Sequence, residues 1–279
     1  MLRKTMILGS IVCLALLLLS PAAEAQNKKK KGGKKGTPAA DPAPPPSGGG
    51  DPGAPPPAGP PPPEVGRAER KLIEYKTGEA RAALDAVADQ ADHNASVSAA
   101  LGRVLDQEKK YGDAAARLRK AAELAPADPA PYVYLGESYL HSKSGDADAA
   151  FRKAAELAQG GGRDADYYLG VAQQRLRQFD QAVETLQRAR AGDSGNALIP
   201  YQIGVTRVFQ EKWTDAVDQL NKALDMDSGI AYAYYYRGLA AEKLGRKDLL
   251  VNDMERFLAL APNAPEADRA KAVLRAAQR

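Results

Sequence analysis

Five glycines, Gly102, Gly136, Gly170, Gly204 and Gly238, stand 34 residues apart in a chain of 279. Twelve residues after most of them come Ala114, Ala182, Ala216 and the larger Leu250. Leu118, Leu186, Leu220 and Met254 follow four residues later, and Ala121, Ala189, Ala223 and Phe257 three beyond those. A repeat of this length holds one helical hairpin. Such a hairpin cannot bury its apolar face alone, so hairpins stack into a continuous core in which each is held by those beside it. The period therefore predicts an all-α chain, an α-solenoid, before any other feature is considered.

The small residues have a mechanical role. Two helices approach closely only where side chains are short, so the Gly at the eighth position and the Ala at the twentieth and twenty-seventh mark helix contacts. The Leu, Phe or Met between them fills the gap. Leu101-Gly102, Tyr111, Ala114, Leu118, Ala121 and Pro126 form the best copy. This pattern resembles the tetratricopeptide repeat family.

Repeats are expected at 95–128, 129–162, 163–196, 197–230 and 231–263, five within residues 95–263. The second is one residue short before Ala147 and regains its register at Gly160, Gly161 and Gly162. Residues 64–94 read as a degenerate copy or N-terminal cap, with Arg67-Ala68 in place of Leu-Gly and Arg67 spoiling the apolar face. The last repeat has Arg237 where Leu is expected, and its bulky Leu250 and Phe257 cannot accept an ordinary next repeat. Residues 264–279 are expected to cap the array with a helix opened by Pro265 and carrying Ala267, Ala270, Val273, Leu274 and Ala277 on one side.

The N-terminus follows a different logic. Arg3 and Lys4 precede an apolar run from Met6 to Leu19, and Ala23-Glu24-Ala25 supplies small residues at a cleavage site. Residues 1–25 therefore read as a signal peptide, the run being shorter than the roughly 20 residues that span a bilayer. An uncleaved anchor is the rival. Cleavage removes Cys13, the single cysteine, and with it any disulfide or thiolate site. Residues 26–63 read as a tether, Lys-rich and then Pro/Gly-rich. Within 36–63, 13 of 28 residues are Pro and 6 are Gly, which forbids a core and gives a reach of roughly 90 Å in polyproline geometry. Lys28, Lys29, Lys30, Lys31, Lys34 and Lys35 are either a solvated tract or a contact for an anionic membrane or wall surface.

Charge separates tail from array. Residues 1–63 hold eight Lys and Arg against three acids, plus five, and the whole chain is plus four, so residues 64–279 total minus one. A near-neutral solenoid argues against nucleic acid as a partner, because phosphate-binding surfaces are basic.

The chain offers little for catalysis. Its two histidines, His93 and His141, fall in different repeats, and zinc takes three or four ligands. Gly192-Asp193-Ser194-Gly195 has the letters of a serine-protease nucleophile loop but stands where a helical repeat turns. Asn94-Ala95-Ser96 has the letters of a glycosylation acceptor. No enzyme activity, cofactor, catalytic residue or metal site is expected.

The resemblance implies that the second, fifth, sixth, ninth, twelfth and thirteenth positions of each first helix line a concave face. Those positions, with residues beside them, give a candidate partner-binding groove of Tyr134, Tyr167, Tyr168, Tyr201, Gln202, Val205, Phe209, Tyr235, Tyr236 and Leu239. Ten of the twelve tyrosines lie on first helices. Tyr presents a large rigid face at low entropic cost and a hydroxyl for a peptide backbone. Packing between helices is the competing use, assigned here to Tyr132, Tyr234 and Trp213. The family's cationic clamp for a C-terminal carboxylate is missing, with Arg103, Arg175 and Lys243 scattered over different repeats. The expected function is an exported protein-interaction module, periplasmic or secreted, in a bacterial cell envelope. The alternatives are a scaffold subunit of an envelope assembly and an anionic-polymer or membrane-surface binder working through the lysines.

Overall fold

The computed structural model describes residues 61–161 and 164–277. The expected signal peptide, the lysine cluster and nearly all of the tether lie outside them. Among the described residues there are thirteen α-helices and no strand. They are α1 Pro63–Ile73, α2 Thr77–Asp85, α3 Ala95–Gln107, α4 Tyr111–Leu124, α5 Ala130–His141, α6 Ala147–Ala158 and α7 Ala165–Arg175. α8 Phe179–Gly192, α9 Leu198–Phe209, α10 Trp213–Met226, α11 Ala231–Lys243, α12 Lys247–Leu260 and α13 Ala267–Ala277 complete the set, with a 3-10 turn at Ala88–Asp92. Each helix packs on the one before and the one after, and first helices also touch those of the next repeat.

The glycine period has a direct steric cause. A Cβ at Gly102, Gly170 or Gly204 would come within 2.6–2.7 Å of Cγ of Leu118, Leu186 or Leu220, sixteen residues on. At Gly136 it would strike Phe151 at 2.6 Å, and at Gly238 the Cε of Met254 at 2.7 Å. The residue that fills each hairpin thus sits against bare backbone, and Leu118, Leu186, Leu220 and Met254 are fully buried. In the degenerate copy Ala68 and Leu84 keep the same spacing and are both fully buried in one cluster. Arg67 does not spoil that face as expected, because its guanidinium turns outward to Glu64 at 2.8 Å.

A second period is carried by the backbone. Tyr75, Lys109, Lys143, Arg177, Glu211 and Gly245 all have φ between 58° and 69°, and they stand 34 residues apart at the end of each first helix. The next N–H donates to the carbonyl five residues back, as from Lys76 to Lys71 and from Arg246 to Ala241, at 2.8–2.9 Å in all six turns. This closes the helix with a left-handed residue that satisfies its last carbonyls. The geometry recurs in α1, so the degenerate copy turns like the others.

Departures from expectation are local. Pro265 lies in the turn before α13 rather than opening it; the first helical bond there runs from Ala270 N–H to Glu266 C=O at 2.9 Å. Arg237, in place of Leu, is a buried pair: its guanidinium donates to both oxygens of Asp253 at 2.7 and 2.9 Å and to Asn221. Burial raises the Asp253 carboxyl while that guanidinium opposes the rise. Phe257 is fully buried in a cluster with Ala270, Val273 and Leu274 of the capping helix. The repeats are not held only by those beside them. Tyr75, at the first turn, meets Tyr232 on α11 with ring centroids 5.9 Å apart.

Gly204→Ala is expected to lose about 1–3 kcal/mol by overpacking against Leu220, whereas Gly238→Ala loses less because the flexible end of Met254 can move. Urea unfolding of the two variants measures the difference. Gly245→Ala is expected to cost about 1 kcal/mol for the left-handed backbone, read in the same assay.

Candidate functional site

The first helices place their aromatic side chains on a common face because helical positions three and four apart, repeated every 34 residues, fall in line. Tyr134 on α5 meets Tyr168 on α7 edge-on at 6.3 Å, their hydroxyls 3.4 Å apart, and Tyr168 meets Tyr167 at 5.2 Å. A second group begins with Tyr201 on α9, which contacts Tyr236 on α11 at 6.4 Å. Phe209, 45% exposed and among the most open large apolar residues described, stacks on Phe179 at 5.8 Å and touches Tyr236. Leu239 is half-buried against the same cluster.

Cations join the two groups. The Arg103 guanidinium lies 4.4 Å over the Tyr134 ring, with Glu69 3.6 Å from it. Arg175 on α7 donates to Glu137 on α5 at 2.8 Å and its charge bears on Tyr236 and Tyr201. The two arginines stand in different repeats, as expected, but each is engaged across a repeat boundary: Arg103 is held by the Tyr134 ring and Glu69 together, and Arg175 by Glu137. Burial first of all pushes the hydroxyls of Tyr134, Tyr167, Tyr168, Tyr201 and Tyr236 above the ordinary phenol value. All five therefore remain protonated donors at neutral pH.

Three expected groove residues are withheld from solvent. Tyr235 is 3% exposed, wedged against Phe257 with centroids 5.0 Å apart, and burial pushes its hydroxyl up to about 12. Val205 is 2% exposed. Gln202 is buried, with its side-chain amide reaching toward Tyr167, and its carbonyl accepts from Gln174 Nε2 at 3.0 Å and from Thr206 Oγ1 at 2.7 Å. The remaining seven, Tyr134, Tyr167, Tyr168, Tyr201, Phe209, Tyr236 and Leu239, are half-buried or exposed. Trp213, assigned to the core, is only half-buried, against Ala216, Val217 and Ala240.

The features weighed for chemistry lie apart from this face. Gly195 N–H donates to Asp193 Oδ1 at 3.2 Å in the exposed turn after α8. Asn94 Oδ1 caps α3, accepting from the Ser96 and Val97 N–H groups. His93 is exposed beside the 3-10 turn. His141 Nδ1 is 2.7 Å from Asp106. No cluster of three metal-ligating side chains occurs among the described residues.

Comparison with known proteins places the architecture. A tetratricopeptide-repeat model matches residues 201–249. The crystal structure of the APC/C hetero-tetramer Cut9-Hcn1 aligns over 76% of this chain and 42% of that one, at 19% identity and a TM-score of 0.54. The helical array has the fold of a tetratricopeptide-repeat solenoid. The human IFIT1 dimer with PPP-AAAA aligns over 66% of this chain and 46% of that one, at 17% identity and a TM-score of 0.53. YrrB, a TPR protein with an unusual peptide-binding site, aligns over 68% and 97% at 21% identity and a TM-score of 0.38. The chain spans less than half the length of the first two structures. No curated protein matches the sequence.

The array ties α3 to α5 through His141 and Asp106, and that hydrogen bond, the largest cause, raises the imidazole above its ordinary value despite burial. A group whose folded pKa is raised stabilises fully below the unfolded value, about 6.5, and the gain is lost as pH rises through the folded pKa. Proton NMR titration should find His141 above about 6.5 and back at the ordinary value in Asp106→Asn; an unchanged midpoint in the variant would contradict the pair.

Proposed function

We propose that this chain is an exported protein-interaction module whose first-helix face receives a segment of a partner protein. Tetratricopeptide proteins bind protein or peptide partners, and nothing described here builds an enzyme site. The observation that carries the reading is the pair Tyr201 and Tyr236. Both are half-buried phenols without a hydrogen-bond partner among the described residues, beside the exposed Phe209 and the Arg175 guanidinium. Unpaired donors on a rigid aromatic wall suit a segment that offers apolar side chains to the rings and backbone carbonyls to the hydroxyls. Because the rings are already held by one another, little ordering cost falls on binding.

Export rests on the charged, apolar and small-residue succession of residues 1–25, and the Pro/Gly-rich stretch then sets the distance between the module and its point of attachment. Mass spectrometry of the mature protein tests this: an N-terminus at Gln26 supports export with cleavage, and an intact Met1 contradicts it.

Peptides selected from a displayed random library on the full chain test the face. Tyr201→Ala or Tyr168→Ala is expected to weaken the selected peptides by about 1–3 kcal/mol in calorimetry with helical content unchanged, while Lys222→Ala, on the second helix α10, leaves affinity intact. Peptides indifferent to both tyrosine changes would rule the face out.

A further inference from the structure

The six left-handed turns are equivalent in backbone but not in side chain. Five present Lys109, Lys143, Arg177, Glu211 and Gly245, residues suited to a wet turn, and the first presents Tyr75. A bulky residue at positive φ is uncommon and costs energy, so its presence asks for an offsetting contact. Two residues earlier the first repeat has Ile73, where the next three have Gln107, His141 and Arg175.

The far end of the array supplies that contact. Ile73 packs on the cluster of Leu220, Leu224, Ile230 and Ala233 at the α10–α11 turn. Glu74 lies so close to Gly229 that a Cβ there would meet its Cγ at 3.2 Å. The Tyr75 ring rests on Tyr232, whose hydroxyl donates to the Glu266 carboxylate just ahead of α13. Tyr232 occupies the second position of its repeat, where the others carry Ser96, Ala130, Asp164 and Leu198. Both halves of the contact therefore depart from what the repeat itself uses. Beside it a cleft of about 440 Å³ separates Thr77, Gln107 and Glu108 from Pro262 and Asn263.

We propose that Ile73-Glu74-Tyr75 and the Gly229–Tyr232 segment form a clasp that closes the array end to end and acts as an autoinhibitory contact. The inference rests on the reading of the first-helix face as the binding surface. Tyr232 is itself in ring contact with Tyr236 and Tyr235, so the clasp abuts the aromatic face at its C-terminal end. With the clasp shut, Tyr75 holds Tyr232 against Tyr236 at this end of the face, and Tyr201 and Tyr236 stay half-buried. With the clasp open, the last repeat swings away from the first, and Tyr201 and Tyr236 become reachable along their length.

The test uses the full chain in a Cys13→Ser background and needs no partner. Glu74→Cys with Gly229→Cys should form a disulfide under mild oxidation, because a Cβ at Gly229 would already meet the Glu74 side chain, 3.2 Å from its Cγ. Nitration of Tyr201 and Tyr236 by tetranitromethane, read by mass spectrometry, should slow about tenfold or more in the oxidised form relative to the reduced one, as expected when reaction requires local opening. Tyr75→Lys, which copies the turn residue of Lys109 and Lys143, should speed nitration of both rings with helical content unchanged. Failure of the disulfide to form would overturn the clasp. A disulfide that forms without changing nitration would leave the contact as a simple end cap and overturn the gate. Either result stands apart from the peptide measurements on Tyr201 and Tyr168, which test the face itself.

Discussion

Everything in this molecule depends on the close approach of two helices at a residue with no side chain. In four of the five glycine-bearing hairpins a leucine or phenylalanine of the second helix, and in the last Met254, sits over the backbone of the first, less than 3 Å from where a Cβ would be. That fit fixes the angle between the helices, and the angle repeated every 34 residues fixes the stack. Where the constraint relaxes, the stack changes character. Met254 replaces Leu under Gly238, Phe257 replaces Ala three residues on, and the array stops there under α13. A packed interior tolerates such changes only where no further repeat has to fit.

The hairpins were legible in the sequence because the contacts that form them are local and periodic. Gly204 and Leu220 announce each other by spacing alone, and so do the Ala pairs around them. The closure of the array was not legible. It brings Tyr75 to Tyr232 through the sum of many small rotations between repeats, and no spacing in the chain encodes that sum. One trace was present: a tyrosine at the turn where later repeats carry lysine, arginine, glutamate or glycine.

The candidate face was legible as a surface and less so residue by residue. Tyr134, Tyr167, Tyr168, Tyr201 and Tyr236 are where helical positions put them. Tyr235 and Val205 occupy positions of the same kind yet are buried, Tyr235 in the cluster that Phe257 and α13 close. The roles of Arg103 and Arg175 could not be seen in sequence, since each finds its aromatic or acidic partner one repeat away. Position in a repeat says which way a side chain points; what waits there is decided by the neighbours.

Binding by this molecule comes down to whether a partner segment lies along the first helices and nowhere else. Amide hydrogen exchange on the full chain, with and without a library-selected peptide, measures this helix by helix. Protection gained in α7, α9 and α11, with α8 and α10 unchanged, is expected if the aromatic face receives the segment. Protection gained on the second helices instead would contradict it.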